Sequence, residues 1–593
     1  MSTVTPDDIE FRGPDEPLHA GRVCPVCGSR DPARPVLGVP SLADPGQPLT
    51  LLRCAACESL FYDPPDIRDF SDLDQKREDF WRFYVEAGGG VWETIWPILA
   101  ARDRGRLLDV GCGFGFALDF WQRTGRGEAI GVELADYGRI GAEQLGVTIH
   151  GDFLEHCAAL AGQRFDIVYA SEVIEHVPDP RAFAALVARW VADDGVLILT
   201  TPAASFVVPS NRSTTQLAAL APGFHGFLMS GRALEEAVRA AGFAHVESRV
   251  MNERQFVWAS RRPFALPPDP ESLRARYFEY MAARFALPDE TSPVWMGYAY
   301  RYLRDLVNSS RFALAKRVAE RLAAAIAAVY GPGALDPAAT APRIAACATL
   351  TDAGRIAPYF IACFYQFAGA VAQHVDGDAV AARRFYRGAA ETAIACTRIG
   401  IAFYLEAAGM VWSARLGDAL LALAQGEAAG ADTLVRLADE GLECTAANGY
   451  ATVSPAQIES LLPPVAEELA ARGHWAPAVS IAAAYQRYVE RRYGPAMANL
   501  PGIERALRDP AAARPADALF PPFFAGLDAL RAPDRATDAR ATLAEVARVA
   551  ETVSDAYAAR ARDVAARARR AAGLPSATSF SFAMDFGVTQ RAR

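Results

Sequence analysis

The sequence has no excess of positive charge. Its 593 residues contain 60 Lys and Arg against 70 Asp and Glu, which gives a formal net charge of -10. Because proteins that bind nucleic acid present clustered positive charge, we expect no nucleic-acid partner. The sequence also lacks a run of about 18 apolar residues, the length that a spanning helix needs, so no membrane span is expected. Residues 1–22 have neither the basic nor the apolar segment of a secretory signal, and they predict a disordered tail and a cytoplasmic protein.

Cysteine is scarce and unevenly distributed. Of the ten cysteines, four form two CxxC pairs near the N-terminus and the other six are scattered. The pairs are Cys24 and Cys27 in "VCPVCGS", and Cys54 and Cys57 in "LRCAACES". In a reducing compartment, two such pairs predict a tetrahedral four-thiolate zinc site that leaves no position for water, and therefore a structural metal. Glu58 stands where Gly28 stands in the first pair, which weakens the second turn slightly.

From about residue 106 to residue 260, short apolar runs alternate with helix-like segments. The runs are "RLLDV", "EAIGV", "VTI", "FDIVYA", "GVLILT", "HVESRV" and "QFVWAS". The first five are separated by stretches long enough for a crossover helix, which predicts a mostly parallel sheet with helices on both faces. The last two are close together and predict an antiparallel hairpin at one edge.

A glycine-rich turn follows the first strand in "RLLDVGCGFGFALDF". A dinucleotide-binding turn requires G-x-G-x-x-G, and the third glycine of that pattern is replaced here by Phe116. The observed spacing is Gly111-x-Gly113-x-Gly115, which brings the main chain close to a ligand. A ligand that carries an amino acid and a nucleoside fits this turn better than a pyrophosphate does.

Acidic residues follow the next two strands. Glu133 in "GVEL" ends the second strand, where a carboxylate can accept both hydroxyl hydrogens of a ribose. Asp152 in "HGDF" follows the third strand and suits an adenine amino group, with Phe153 beside it to cover the ring. The alternative for both acids is a solvated strand end, which their order after the glycine turn disfavours.

With these motifs, the sequence resembles the class I S-adenosylmethionine-dependent methyltransferases over roughly residues 107–258. "LLDVGCGFG", "GVEL", "GDF", "FDIVYASEVIEHV" and "DDGVLILTTP" match the family motifs in order. The resemblance implies a Rossmann-like domain with S-adenosylmethionine as co-substrate. The residues that it assigns to the cofactor are Asp109, Gly111, Gly113, Gly115, Glu133, Leu134, Asp152, Phe153, Ala170 and Ser171. The preceding four-cysteine ribbon resembles a bacterial branch of the family that acts on nucleotide sugars and cell-surface glycans.

Methyl transfer to a hydroxyl needs alignment of the reacting atoms and benefits from a base. His225 lies in "GFHGF" after the fifth strand, and His176 follows the fourth strand, so both are candidate bases. The alternatives are a lid residue for His225 and a helix-capping or packing residue for His176. Glu172 is also a candidate at this position, with cofactor contact favoured over proton transfer.

Beyond residue 262, a proline-rich junction, "RRPFALPPDPES", precedes an Ala- and Arg-rich region without strand patterns. Turns near Ser310, Gly377 and Gly473 divide helical hairpins at spacings close to multiples of a 34-residue tetratricopeptide unit. The intervening segments lose the pattern, so an irregular helical array is expected. Stacked hairpins form a concave surface that suits an acceptor or a protein partner, although packing against the catalytic domain is an equal alternative.

The sequence therefore predicts a multidomain enzyme. The domains are a disordered tail (1–22), a zinc ribbon (23–63), an aromatic helical linker (64–100), a methyltransferase domain (101–262), a junction with one helix (263–290) and an all-helical domain (291–593). The predicted function is O-methylation of a small-molecule sugar or glycan acceptor. The alternatives are C-methylation of a nucleotide sugar, N-methylation of a small metabolite, or an interaction scaffold that senses the cofactor.

Overall fold

The computed structural model of the protein describes residues 4, 8–65, 80–209, 211, 213–251, 253–267, 270–400, 404–443, 455–509, 517–552 and 558–573. The chain divides into two compact units. The first comprises residues 1–371 and 391–407, and the second comprises residues 372–390 and 408–593. Parts of the predicted tail (1–3 and 5–7) and of the predicted linker (66–79) lie outside the described residues.

All strands in the described residues belong to the first unit. They are β1 (Glu10–Phe11), β2 (Arg34–Pro40), β3 (Pro48–Arg53), β4 (Leu60–Asp63), β5 (Leu107–Val110), β6 (Ala129–Val132), β7 (Thr148–His150), β8 (Phe165–Ser171), β9 (Val191–Pro202), β10 (Phe227–Leu228), β11 (His245–Met251) and β12 (Arg254–Ser260). β1 falls within the stretch predicted to be disordered, where Glu10 and Phe11 pair with β2.

Seven strands form one sheet in the order β11-β12-β9-β8-β5-β6-β7. The strands from β9 to β7 are parallel, and β12 and β11 add to β9 as an antiparallel edge hairpin. Every residue of β5 and β6 is buried, because helices cover both faces of a parallel sheet. All seven strand predictions and the edge hairpin are confirmed.

The other sheet carries the four cysteines and has the order β1-β2-β3-β4-β10. Its last strand, β10, comes from the segment between β9 and β11, and it pairs antiparallel with β4 through Phe227 opposite Phe61 and Leu228 opposite Leu60. Ribbon residues and residues of the large sheet also share one hydrophobic core. The cysteine ribbon is therefore built onto the α/β fold, a connection that the sequence did not reveal.

The described helices up to residue 371 are α1 (Phe80–Phe83), α2 (Trp92–Ala101), α3 (Phe116–Arg123), α4 (Asp136–Leu145), α5 (Pro180–Val187), α6 (Ser213–Leu220), α7 (Gly231–Ala240), α8 (Arg274–Phe285), α9 (Pro293–Asn308), α10 (Phe312–Tyr330), α11 (Pro337–Ala345), α12 (Leu350–Ile356) and α13 (Ile361–Val371). A π-helical turn, Tyr84–Gly88, follows α1 directly.

Two helices beyond residue 262 pack on the helix that follows the glycine turn. Asp119 of α3 is 2% exposed and accepts hydrogen bonds from Tyr280 (2.5 Å) and Arg284 (3.5 Å) of α8. Tyr298 of α9 donates to the same carboxylate at 3.4 Å. A buried carboxylate needs such partners, so α8 and α9 complete the surroundings of α3. The predicted domain boundary at residue 262 stays a prediction.

The remaining helices are α14 (Ala379–Gly400), α15 (Leu405–Ala424), α16 (Ala428–Glu443), α17 (Pro455–Ala471), α18 (Trp475–Tyr493), α19 (Leu500–Arg508), α20 (Phe520–Ala529), α21 (Ala536–Glu551) and α22 (Ala558–Ala572). The predicted turns are present: Ser310, Gly377 and Gly473 each have positive φ between helical segments. The all-helical character is confirmed, whereas the tetratricopeptide likeness stays a prediction.

One helix among the described residues, α15, is long and apolar enough to cross a membrane by length and composition alone. No such helix was expected from the sequence, because it contains no continuous run of about 18 apolar residues. Glu406, Arg415 and Asp418 lie within α15. Half of its most apolar window is buried, and Trp412 and Leu416 belong to the hydrophobic core of the second unit. The core helix of a globular unit meets the same test, and the cytoplasmic location stays a prediction.

Candidate functional site

The glycine turn begins where β5 ends. Gly111 and Gly113 have φ values of 69° and 56°, a region that side chains disfavour. A β-carbon on Gly111 would lie 2.5 Å from Cγ2 of Val173, and one on Gly113 would lie 2.9 Å from the hydroxyl oxygen of Tyr84. At these two positions no side chain covers the main chain of the turn, which packs against the loop after β8 and against the π-helical turn.

The structure brings Glu133 to this turn. One carboxylate oxygen of Glu133 accepts a hydrogen bond from the main-chain N–H of Gly113 at 3.0 Å, and the other accepts from the N–H of Ala135 at 3.0 Å. These bonds fix the orientation of the carboxylate at the end of β6. A carboxylate has about four lone-pair positions, so it can accept from hydroxyl groups as well as from main-chain N–H groups.

Leu134, Asp152 and Phe153 lie at the same end of the sheet. Because Val132 pairs with His150 in the parallel register of β6 and β7, the residues that follow the two strands lie side by side. Leu134 and Phe153 are 42% and 56% exposed, which is high for large apolar side chains, and Asp152 is exposed as well. Exposed apolar surface beside fixed polar groups is typical of a ligand site.

Asp109 lies beneath the turn at 3% exposure. Burial, and then the charge of Glu133, raise its pKa to about 8. The folded chain holds this proton more tightly than the unfolded chain does. The contribution of Asp109 to the free energy of unfolding therefore falls as pH rises from about 4 to about 8.

We expect Asp109→Asn, which carries no ionisable group, to flatten this pH dependence. Thermal unfolding followed between pH 6 and pH 8.5 should show a smaller loss of stability in the variant than in the unchanged chain, the difference being at most about 1.4 kcal/mol per pH unit. Asp194→Asn, at a carboxyl that is 59% exposed, is the control. Equal pH slopes for all three proteins would contradict the buried proton.

On the other side of the turn, β8 ends in Ala170, which is 1% exposed, and Ser171, whose hydroxyl lies 2.7 Å from that of Thr200. Glu172 follows with a positive φ of 56°, accepts a hydrogen bond from Thr200 at 3.1 Å, and lies 3.8 Å from Arg254. These contacts give Glu172 an ion-pair partner and a fixed position, which suits a binding role better than proton transfer.

His176 and His225 are in contact, with ring centroids 4.7 Å apart in an edge-to-face arrangement. Nδ1 of His176 lies 3.1 Å from the carbonyl oxygen of Phe224, and Nδ1 of His225 lies 2.8 Å from that of Ala219. A carbonyl can only accept, so each Nδ1 carries a proton. Burial, and then His176, hold the pKa of His225 well below its usual range.

Glu175 was missed by the sequence analysis. It is fully buried, and it accepts a hydrogen bond from Thr201 at 2.9 Å through one oxygen, while the other oxygen makes none. Burial, and then the charge of Glu172, raise its pKa well above the usual range. Ligand atoms of Glu175, His176 and His225 lie within 4.8 Å of one another, so the set is able to hold a divalent cation. The sequence did contain a signal for Glu175, because it directly precedes His176 in "EVIEH".

Comparison with known proteins agrees with this geometry. The family profile described as a methyltransferase domain matches residues 91–248. The chain contains a class I methyltransferase domain. The ubiquinone biosynthesis O-methyltransferase of Cereibacter sphaeroides is 38% identical over 101 residues, which is 16% of this chain and 40% of that protein. That of Actinobacillus pleuropneumoniae is 32% identical over 105 residues, covering 16% of this chain and 45% of that protein.

The chain thus spans less than half the length of these curated relatives. Among solved structures, an O-methyltransferase family protein from Burkholderia thailandensis is 19% identical, with a TM-score of 0.24, over 33% of this chain and 59% of that one. The resemblance stated from the sequence motifs is confirmed at the level of the methyltransferase domain.

The residues of this domain fit S-adenosylmethionine. The bare main chain of Gly111 and Gly113, the fixed Glu133 carboxylate and the exposed Leu134 and Phe153 meet at one end of the sheet. The individual cofactor assignments made from the sequence stay predictions.

The four cysteines of the ribbon come together as predicted. Sγ atoms of Cys24 and Cys57 are 3.7 Å apart, those of Cys27 and Cys54 are 3.6 Å apart, and all four lie within 4.8 Å of one another. Zinc–sulfur bonds of about 2.3 Å in a tetrahedron place the sulfurs about 3.8 Å apart, so the set has the dimensions of a zinc site. Glu58 adopts φ of 64°, as Gly28 does at 76°, which confirms that the second turn carries a strained residue.

The second cysteine turn is attached to the methyltransferase domain. Ser230, which caps α7, donates from its hydroxyl to the carbonyl oxygen of Cys57 at 2.6 Å. Its main-chain N–H donates to the hydroxyl of Ser59 at 3.0 Å. Together with the β4–β10 pairing, these bonds connect the ribbon to the segment that carries His225.

Proposed function

We propose that the chain is an S-adenosylmethionine-dependent O-methyltransferase. The observation that carries the proposal is the Glu133 carboxylate, held by two main-chain N–H groups beside Gly113 at the end of the parallel sheet. A carboxylate in this position suits the two hydroxyls of a ribose, and the adjacent exposed apolar residues suit an adenine ring. When bound, S-adenosylmethionine supplies an electrophilic methyl group, and the chain's own residues align the acceptor with it.

A hydroxyl is the favoured acceptor group, because the curated relatives reported above are named as O-methyltransferases. Within that class, the proposed acceptor is a sugar or glycan-related molecule, on the basis of the ribbon that precedes the domain. A lipid-soluble acceptor is the second candidate, since those relatives act in ubiquinone biosynthesis according to their names.

His176 is the proposed base. His225 is 6% exposed and its pKa is well below the usual range, so it binds a proton weakly. His176 is less buried, and its Nδ1 donates to a carbonyl oxygen, which orients the ring for proton transfer. His225 then positions the His176 ring through their edge contact.

Zinc is proposed as the occupant of the cysteine set. The four thiolates fill a tetrahedral site, so the metal is structural and takes no part in methyl transfer. The proposal is supported by the spacing of the sulfur atoms and by the matched turns at Gly28 and Glu58.

A labelling experiment tests the function. The full chain is incubated with methyl-labelled S-adenosylmethionine and with extract fractions that contain nucleotide sugars, polysaccharide or lipids. Label in a sugar or polysaccharide fraction, released by ether-cleaving but not by mild alkaline treatment, supports sugar O-methylation. Label in the lipid fraction favours the second candidate. Absence of cofactor binding by calorimetry, together with no labelled product in any fraction, would overturn the proposal.

A further inference from the structure

The π-helical turn and the glycine after it, residues 84–89, form a segment that we call the strap. The N–H of Gly89 donates to the carbonyl oxygen of Tyr84 at 2.7 Å, which closes the turn. The strap is not part of the sheet. It lies against the glycine turn of the methyltransferase domain, since a β-carbon on Gly113 would lie 2.9 Å from the hydroxyl oxygen of Tyr84.

Tyr84 stacks on two aromatic rings that belong to elements beside the proposed cofactor site. Its ring stacks on Phe116, the first residue of α3, with centroids 5.9 Å apart and planes 7° apart. It also stacks on Tyr137 in the first turn of α4, at 5.2 Å and 13°. Burial, and then the charge of Glu133, raise the pKa of the Tyr84 phenol, so this hydroxyl stays protonated beside the carboxylate. Tyr84 is therefore a donor that lies between the glycine turn and the end of β6.

A single arginine from α9 holds the main chain of the strap. Arg301 is 1% exposed, and its guanidinium donates to the carbonyl oxygens of Val85 (2.5 Å) and Tyr84 (3.3 Å). It also donates to the carbonyl oxygen of Gly89 from two nitrogens, at 2.9 Å and 2.6 Å. The planar fork thus connects both ends of the strap, which a lysine with one nitrogen cannot do.

The approach of α9 to the strap is unusually close. A β-carbon on Gly297 would lie 2.2 Å from the carbonyl oxygen of Val85, so only glycine lets the helix reach this position. The guanidinium of Arg301 also lies 5.6 Å from the centre of the Phe116 ring. In the part of the chain that the structure describes, the hydrogen bonds of Arg301 all end on main-chain carbonyls. Burying a cation with such partners alone is costly, which favours a positioning role over a stabilising one.

We propose that Arg301 is a positioning residue for the cofactor site: it fixes the strap over the glycine turn so that Tyr84 forms one wall of the S-adenosylmethionine site. This inference rests on the proposed function. It assigns a role to the helical region, since α9 supplies the residue that completes a site built otherwise from the α/β domain. Cofactor affinity therefore depends on a helix that lies beyond residue 262.

The test compares Arg301→Met with Arg304→Met in the full chain. Arg304 is on the same helix and is largely buried, but it pairs with Asp305 at 2.9 Å and Glu406 at 3.4 Å. Within the described part of the chain it makes no hydrogen bond or ion pair with the strap. For Arg301→Met we expect Kd for S-adenosylmethionine to rise at least about 10-fold, while kcat at saturating cofactor changes little. Amide hydrogen exchange in residues 84–91 should also accelerate in the unliganded protein. For Arg304→Met we expect a lower unfolding temperature, with Kd and strap exchange unchanged.

Tyr84→Ala and the double variant complete the experiment. If Arg301 acts through the strap, the loss of affinity in Tyr84→Ala/Arg301→Met is no larger than the larger single loss, whereas independent effects add. Arg301→Lys retains the charge but lacks the planar guanidinium, so its affinity for S-adenosylmethionine should also fall. This variant replaces Arg301→Met in the experiment if Arg301→Met does not fold. An unchanged Kd in Arg301→Lys or Arg301→Met, or equal effects of Arg304→Met, would overturn the inference. Failure of the unsubstituted chain to bind S-adenosylmethionine would instead refute the proposed function.

Discussion

Glu133→Ala is expected to weaken S-adenosylmethionine binding at least about 100-fold, because two charge-assisted hydrogen bonds at roughly 1.5 kcal/mol each correspond to that factor. The variant removes the acceptor proposed for the ribose hydroxyls. It also releases the N–H groups of Gly113 and Ala135, which the carboxylate now holds at 3.0 Å. The glycine turn should therefore lose part of its order in the unliganded protein. Calorimetric titration with the cofactor measures the effect.

Glu128→Ala is the matched control, since Glu128 immediately precedes β6, is 51% exposed and pairs with Arg106. It should leave cofactor affinity unchanged. Circular dichroism and thermal unfolding of both variants establish that the fold survives. A folded Glu133→Ala protein with native affinity would refute the assignment of Glu133 to the ribose.

The large sheet could be predicted from the sequence because each of its strands is marked by a pattern of neighbouring residues. Each strand is a short apolar run, and strand ends in a parallel sheet meet at one edge, so Glu133 could be placed near Gly113 without coordinates. The metal site of the four cysteines could also be predicted from the sequence, since each CxxC turn places two sulfur atoms by itself. In each case a few consecutive residues carry the signal.

What the sequence did not reveal depends on contacts between distant segments. Arg301 and Gly89 are 212 positions apart, and Ser230 and Cys57 are 173 positions apart. Neither pair has a sequence pattern that identifies the two partners: Arg301 is one of two arginines on an amphipathic helix, and Ser230 is an ordinary helix cap. Glu175 was overlooked for a different reason, since burial with one oxygen unsatisfied is a property of the fold and not of its motif.

These distant contacts divide the site into two halves with different supports. The proposed cofactor half, at β5, β6 and β7, lies beside the strap, whose main chain accepts hydrogen bonds from Arg301 of α9. The other half, which carries His176 and His225, is bordered by β10, and β10 is paired with the cysteine ribbon. Damage to the ribbon should therefore affect the acceptor half and spare the cofactor half.

Metal removal is the sharpest test of that division. Zinc is expected at one per chain, and Cys54→Ser or a strong chelator should unfold the ribbon, because structural zinc in peptides of this size contributes on the order of 10 kcal/mol to folding. The β4–β10 pairing and the bond from Ser230 to Cys57 would then be lost, and the His225 segment would lose its support. We expect acceptor methylation to fall at least about 10-fold while calorimetry shows near-native affinity for S-adenosylmethionine.

Hydrogen exchange separates this result from general unfolding. Amides of residues 217–229 should exchange faster after metal loss, whereas those of β5 and β6 should keep their protection, because both strands are buried within the parallel sheet. Cys347→Ser, at a cysteine outside the cluster, should leave metal content, exchange and activity unchanged. Metal analysis that finds no zinc in protein produced in zinc-replete medium would refute the metal assignment. If zinc is present but its removal leaves residues 217–229 protected, the ribbon is attached to the acceptor half without supporting it.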